Sequence, residues 1–168
     1  MSLPNIHTSS KSDEWETPSD FYKLWDDVFK FNIDVCATND NHLCNVYWTK
    51  EDNSLIQDWG ENTCWMNPPY GRQISSFMEK AYNEYLNGST VVCLIPSRTD
   101  TKWWHKYCIH GDVYFVKGRL KFINRTFPSW RPDGNFKISP AGFPSAVIVF
   151  SNKEYVISNE LLNRCSKI

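Results

Sequence analysis

The run Thr63-Cys64-Trp65-Met66-Asn67-Pro68-Pro69-Tyr70 gathers residue types suited to acting on an amine. An exocyclic amino group such as that of adenine is planar, because its lone pair is delocalised into the ring. It becomes nucleophilic when both its hydrogens are held by acceptors that favour a pyramidal nitrogen. The Asn67 side-chain oxygen and the Pro68 carbonyl are two such acceptors, and Pro68 and Pro69 fix the backbone that carries them. Tyr70 offers a flat ring that could stack on a base turned out of its helix. The same residues would also suit an ordinary turn. The chemical reading requires an apolar strand before them and a helix after them.

Both are legible. Thr63–Met66 reads as a short strand that Pro68-Pro69 must stop. A helix follows, with Ile74, Phe77, Met78, Ala81, Tyr82, Tyr85 and Leu86 on one stripe and Gly88 as its stop. Upstream, Pro18 and Ser19 open a helix carrying Phe21, Leu24, Trp25, Val28 and Phe29 at i, i+3, i+4, i+7 and i+8. Phe31–Ala37 reads as a strand. Downstream, Thr90–Ile95, Asp112–Val116, Leu120–Ile123 and Ser145–Ser151 read as strands and Asp100–His110 as helix. Wholly apolar strands separated by amphipathic helices predict a three-layer, Rossmann-like α/β domain with a mostly parallel sheet. Its binding crevice should lie past the C-terminal ends of the strands.

With 168 residues, the chain suits one domain over 13–168 behind a polar leader over 1–12. The longest purely apolar runs, Val91–Ile95 and Ala146–Phe150, fall far short of the ~20 residues of a membrane-spanning helix. No apolar secretory stretch opens the sequence. Six scattered cysteines are then expected as reduced thiols. His105, Cys108 and His110 lack a matching second half at zinc spacing, so no metal is expected.

The net charge of −1 hides a division. Residues 1–90 hold 6 basic and 14 acidic side chains, and residues 91–168 hold 12 and 5. Nine Lys and Arg fall between Arg98 and Lys137, interleaved with Trp103, Trp104, Tyr107, Phe122, Phe127 and Trp130. Cations neutralise phosphates and aromatic rings stack on bases, so this mixture suits nucleic acid. The same composition would also fit core aromatics beside solvated cations, the reading preferred for Trp104 and Phe122. Residues 124–142 form a long polar loop, a candidate DNA contact.

Several segments in order resemble a known family: Asp13-Glu14-Trp15-Glu16-Thr17-Pro18, Asp34-Val35-Cys36-Ala37, Asp58-Trp59, Asn67-Pro68-Pro69-Tyr70, Pro96–Thr101 and Lys117–Leu120. From Asp13 to about Phe150 the chain resembles the phage-type (Dam-like) DNA N6-adenine methyltransferases that use S-adenosylmethionine. The resemblance implies methyl transfer to adenine N6 in a short specific DNA site, without a metal, in the cytoplasm of a bacterial or phage-infected cell. It implies a Rossmann-like methyltransferase fold, with Asn67, Pro68, Pro69 and Tyr70 as catalytic residues. Trp15, Thr17, Pro18, Asp34, Cys36, Ala37, Asp58 and Trp59 would form the cofactor site. Thr17 and Pro18 would meet the cofactor's methionine end, and Asp34 its amino group or the waters around it. Asp58 would meet its adenine amine, with Trp59 packing near the ring.

Thr17-Pro18 equally fits a plain helix start, and Asp58 a solvated turn before Gly60. No glycine occurs in the first 59 residues. Ala37–Asn41 would therefore replace the family's usual Gly-rich loop, and Glu51 or Asp52 would grip the ribose. Arg98, Lys102, Arg119, Arg125 and Arg131 are the candidate DNA contacts. Two alternatives stay open: a protein glutamine N5-methyltransferase with the same Asn-Pro-Pro-Tyr chemistry, or a non-catalytic cofactor- or DNA-binding module. The basic, aromatic-rich half argues against the first, and the missing glycine loop keeps the second.

Overall fold

Apolar runs bounded by proline or glycine form the centre of the sheet in the computed structural model, which describes residues 15–123 and 140–168. The elements in order are α1 (Ser19–Phe29), β1 (Ile33–Asp34), β2 (Val46–Tyr47), β3 (Thr63–Met66), α2 (Ile74–Leu86) and β4 (Thr90–Pro96). Then come α3 (Lys102–Lys106), a 3-10 turn (Cys108–His110), β5 (Asp112–Val116), β6 (Ser145–Phe150), α4 (Asn159–Arg164) and β7 (Cys165–Lys167).

The strands join one sheet in the order β2-β1-β3-β4-β6-β5-β7. β1 pairs in parallel with β2 and β3, and β3 with β4. The pairings β4 with β6, β6 with β5 and β5 with β7 are antiparallel. The sheet is therefore mixed: β6 and β7 run against the other strands. From β1 the chain moves out to β2, then crosses back to β3 on the other side of β1. Such a reversal opens a crevice at the carboxyl ends of the two inner strands, where open α/β sheets bind ligands. Asp34 ends β1 and Asn67 follows β3.

Side-chain alternation divides the core between two sheet faces. Trp65 of β3 and Tyr114 of β5 point to the side of α1, where Trp65 meets Tyr22 and Phe31 and Tyr114 meets Trp25. On the opposite face, Phe150 of β6 meets Tyr82 and Tyr85 of α2, and Phe115 of β5 stacks on Trp104 of α3. Helices thus cover both faces, which is why β4 and β6 are buried along their whole length.

Three elements depart from expectation. Phe31–Ala37 is regular strand only at Ile33–Asp34, flanked by the bonds Asn32 N–H to Thr63 and Val35 N–H to Trp65. Leu120–Ile123 forms no regular strand and joins no ladder; it pairs only through a single bridge from Ile123 to Glu16. The stretch Asp100–His110 breaks into a five-residue helix and a 3-10 turn. No helix among the described residues is long and apolar enough to cross a membrane.

Candidate active site

Asn67 emerges from the buried strand Cys64–Met66 and is itself half-buried. Its carboxamide is held from both ends. Nδ2 donates to the Trp15 carbonyl and, at 2.9 Å, to Thr17 Oγ1. Oδ1 accepts the Tyr70 hydroxyl at 2.7 Å. A backbone carbonyl can only accept, so the Trp15 contact settles which end of the amide is nitrogen. Oδ1 keeps a second lone pair, and among the described residues the adjacent Pro68 carbonyl accepts no hydrogen bond. Two acceptors one residue apart are thus available for the two hydrogens of an amine.

The segment that orients Asn67 comes from about fifty residues upstream. Glu16 bridges Ile123 through a reciprocal backbone pair of 3.1 and 3.2 Å, laying residues 15–17 between Asn67 and the chain after β5. The Trp15 ring meets Phe122 and Phe143 edge-on, at centroid distances of 5.8 and 5.2 Å. Tyr70 meets the same two phenylalanines at 6.1 and 5.5 Å, also near-perpendicular. These four rings form a closed cluster against Asn67.

This placement differs from the open stacking platform expected of Tyr70, which is only 2% exposed. Burial holds its phenol neutral, with the pKa raised well above the usual value. The hydroxyl is also 3.2 Å from the Leu94 carbonyl. Tyr70→Ala should therefore cost about 3–5 kcal/mol of stability by leaving a cavity. Tyr70→Phe should cost about 1 kcal/mol through the lost hydroxyl. Urea unfolding of both variants measures this, and equal midpoints would contradict the packing role.

Asp34 lies beside β3 through its register with Trp65. It is buried, and its two oxygens accept the N–H groups of Cys36 (3.2 Å) and Leu43 (3.1 Å), drawing together both ends of the loop after β1. Ala37 N–H bonds to the Trp48 carbonyl, closing that loop against the chain after β2. Burial raises the Asp34 carboxyl to about 6, although both N–H groups and nearby His42 oppose the shift. Burial likewise pushes the Cys36 thiol up, so it stays protonated. Asp34 has no ion-pair partner among the described residues. A buried carboxylate met only by neutral donors suits a cationic ligand group.

Other expected residues are placed elsewhere. Asp58 is exposed and accepts the Gly60 N–H at 2.8 Å. Gly60 in turn takes the Ser89 hydroxyl beside the start of β4, at the sheet end opposite Asn67. Trp59 is fully buried, its Nε1 donating to the Ser54 carbonyl and its backbone N–H to Glu84, which Lys80 also contacts. Asp58 thus holds a local turn, whereas Trp59 is a core residue whose ring lies 6.5 Å from that of Trp48, the residue whose backbone bonds to Asp34 and Ala37. Asp52 caps Thr49 through backbone and side chain, and Glu51 is exposed beside it.

Arg98 follows β4 and donates to the Tyr70 carbonyl at 3.0 Å, which ties it to the Asn-Pro-Pro-Tyr turn. Lys102 and Arg119 are exposed beyond the carboxyl ends of β4 and β5, at the same sheet edge as Asn67. Arg125, Arg131 and positions 124–139 of the expected DNA loop lie outside the described residues, as do Asp13, Glu14 and the leader. Two features went unread in the sequence. Phe143 sits just before an apolar strand, and Arg72 is an exposed cation two residues after Tyr70 in the otherwise acidic half. Among the described residues no cluster of His, Cys, Asp or Glu is gathered to hold a metal.

The chain is an α/β protein with a mixed sheet, and the ends of its adjacent parallel strands β1 and β3 carry a buried carboxylate, Asp34, and a hydrogen-bonded asparagine, Asn67. The chain belongs to the DNA N-6-adenine-methyltransferase (Dam) family, whose family model matches residues 5–157. It is 33% identical over 129 residues to a DNA N-6-adenine-methyltransferase of Haemophilus phage HP1 (strain HP1c1), covering 74% of this chain and 73% of that protein. It is 28% identical over 130 residues to a DNA N-6-adenine-methyltransferase of Escherichia phage T1, covering 67% of this chain and 54% of that protein. The match thus spans about half the length of the phage T1 relative.

Proposed function

We propose that this chain transfers a methyl group from S-adenosylmethionine to the N6 amine of adenine in DNA, on a three-layer Rossmann-like methyltransferase fold. Family membership supports the DNA adenine methyltransferase activity and with it a methyl donor. The observation that carries the reading to residues is the doubly held carboxamide of Asn67, with one Oδ1 lone pair and the Pro68 carbonyl left to accept. S-adenosylmethionine supplies an electrophilic methyl group on a sulfonium. Asn67 Oδ1 and the Pro68 carbonyl would accept hydrogen bonds from the two amine hydrogens and draw the nitrogen lone pair out of the ring. The N–C bond forms as the sulfur–methyl bond breaks, and the surplus proton on the methylated nitrogen passes to solvent. The neutral phenol of Tyr70 holds Asn67 in place and takes no proton itself. Pre-set acceptors of this kind need no reorganisation when charge develops.

Asp34 would hold the cofactor's ammonium, with Pro18 and the Cys36–Ala37 turn beside it. An ammonium favours the carboxylate over the carboxylic acid, so binding should depend on the Asp34 proton. Affinity for S-adenosylhomocysteine, which keeps the ammonium, should tighten as pH rises from 5 to 7 through about 6. The raised carboxyl works oppositely on the unliganded fold. Its contribution is complete below the ordinary carboxylate range and is lost as pH rises through about 6. Asp34→Asn should bind more weakly at pH 7 and with a flat profile. Calorimetric titration across the pH range measures both, and a flat wild-type profile would remove Asp34 from the cofactor site.

The activity itself is tested by incubating the protein with methyl-labelled S-adenosylmethionine and either DNA or a mixed protein extract. Label on adenine N6 is expected. Label in protein would mean a glutamine methyltransferase, and no label in either a non-catalytic module.

A further inference from the structure

We propose that Thr17 is a positioning residue for Asn67, its hydroxyl oxygen holding the carboxamide so that Oδ1 faces the reacting amine. The inference rests on the reading above and changes the expected part of Thr17, which the family resemblance places at the cofactor. Three observations carry it. Thr17 is 5% exposed, and its Oγ1 accepts the Asn67 Nδ2 hydrogen at 2.9 Å. The second Nδ2 hydrogen goes to the Trp15 carbonyl, so both amide hydrogens are taken by one short segment. That segment is itself anchored at both ends, by the Glu16–Ile123 bridge and by α1, where Tyr22 N–H caps the Pro18 carbonyl at 3.0 Å.

With Trp15 alone on the nitrogen, the amide plane is held only by that bond and by the Tyr70 hydroxyl on Oδ1, and one N–H is left unpaired. Two acceptors fix its plane and therefore the direction of the remaining Oδ1 lone pair. Donating both hydrogens also enriches the oxygen, because linked hydrogen bonds polarise one another. Thr17 touches no reacting atom in this arrangement and acts through Asn67.

Thr17→Val keeps the shape and removes the acceptor, Thr17→Ser restores the oxygen, and Thr17→Ala serves should the valine variant fold poorly. Steady-state methylation of DNA and equilibrium binding of S-adenosylhomocysteine are measured on each. The expected result is a kcat lowered on the order of tenfold in the valine and alanine variants and recovered in the serine variant. DNA KM and the S-adenosylhomocysteine Kd should stay within about twofold. In an Asn67→Ala background, Thr17→Val should have no further effect, since the group it positions is gone. An unchanged kcat with weakened S-adenosylhomocysteine binding would overturn the proposal and make Thr17 a ligand contact. An unchanged kcat and Kd in all variants, or additive losses in the double variant, would overturn it as well. Full turnover by Asn67→Ala alone would instead overturn the reading of the site on which the proposal rests.

Discussion

Asn67→Ala is expected to lower methyl transfer on the order of 10³-fold while leaving DNA and S-adenosylhomocysteine binding within a few-fold of the wild type. The side chain offers one acceptor to one hydrogen of the amine, and that contact strengthens only as the nitrogen becomes pyramidal. An interaction gained in the transition state appears in kcat rather than in binding. The substitution also leaves the Trp15 carbonyl and the buried Thr17 hydroxyl without their amide partner, so some loss of stability accompanies the loss of rate. Asn67→Asp keeps an oxygen toward the amine but loses both Nδ2 donors and sets a second oxygen against the Trp15 carbonyl. Its rate should fall between wild type and alanine. Single-turnover methylation at saturating substrate separates these cases, and a wild-type rate for Asn67→Ala would remove Asn67 from the chemistry.

The elements that carry Asn67 were legible because their signals are local. β3, α2, β4, β5 and β6 are apolar runs or stripes bounded by Pro68, Gly88, Pro96, Gly111 and Pro144, and their observed limits lie within a residue of the sequence reading. β2 and β7, two and three residues long and partly exposed, leave no periodic trace. α4 covers only one and a half turns and buries Leu161 alone, too little for an apolar stripe. The mixed sheet has a different cause. The apolar sequence of β6 records burial on both faces, which a strand acquires in either direction once helices cover both sides.

Site residues divide along the same line. The positions of Asn67, Pro68 and Asp34 in the fold were legible because each sits at the end of a strand, where a chain position translates directly into a place at the sheet edge. The sequence did not reveal that Trp15 and Thr17 meet Asn67, since contacts across fifty residues depend on the Glu16–Ile123 bridge. The burial of Tyr70 was not legible for the same reason. Its burial is made by Phe122 and Phe143, both distant in sequence. Asp58 and Trp59 have partners nearer in the chain or across α2, and the motif alone does not show that Gly60, Ser54 and Glu84 hold them in a turn and in the core.

Replacing Lys102, Arg119 and Lys121 together with Ala should weaken DNA binding on the order of 10²-fold at physiological salt. All three are exposed beyond the carboxyl ends of β4 and β5, the edge that carries Asn67. Leu120 and Phe122 are buried whereas Arg119 and Lys121 are exposed, so both cations are open to solvent. Arg98 is spared because it holds the Tyr70 carbonyl, and its loss would disturb Asn67 as well as the DNA. Each phosphate contact releases counterions, so removing three should reduce the log–log salt slope by roughly 2.7 on duplex DNA. Asp34 and Thr17 are untouched, so S-adenosylhomocysteine affinity should hold, and exposed side chains contribute little to stability. Binding isotherms between low and physiological salt measure the slope directly. An unchanged slope in a triple variant that still methylates DNA would show that the duplex lies elsewhere, and Arg72, exposed beside Tyr70, would then mark the other flank of the crevice.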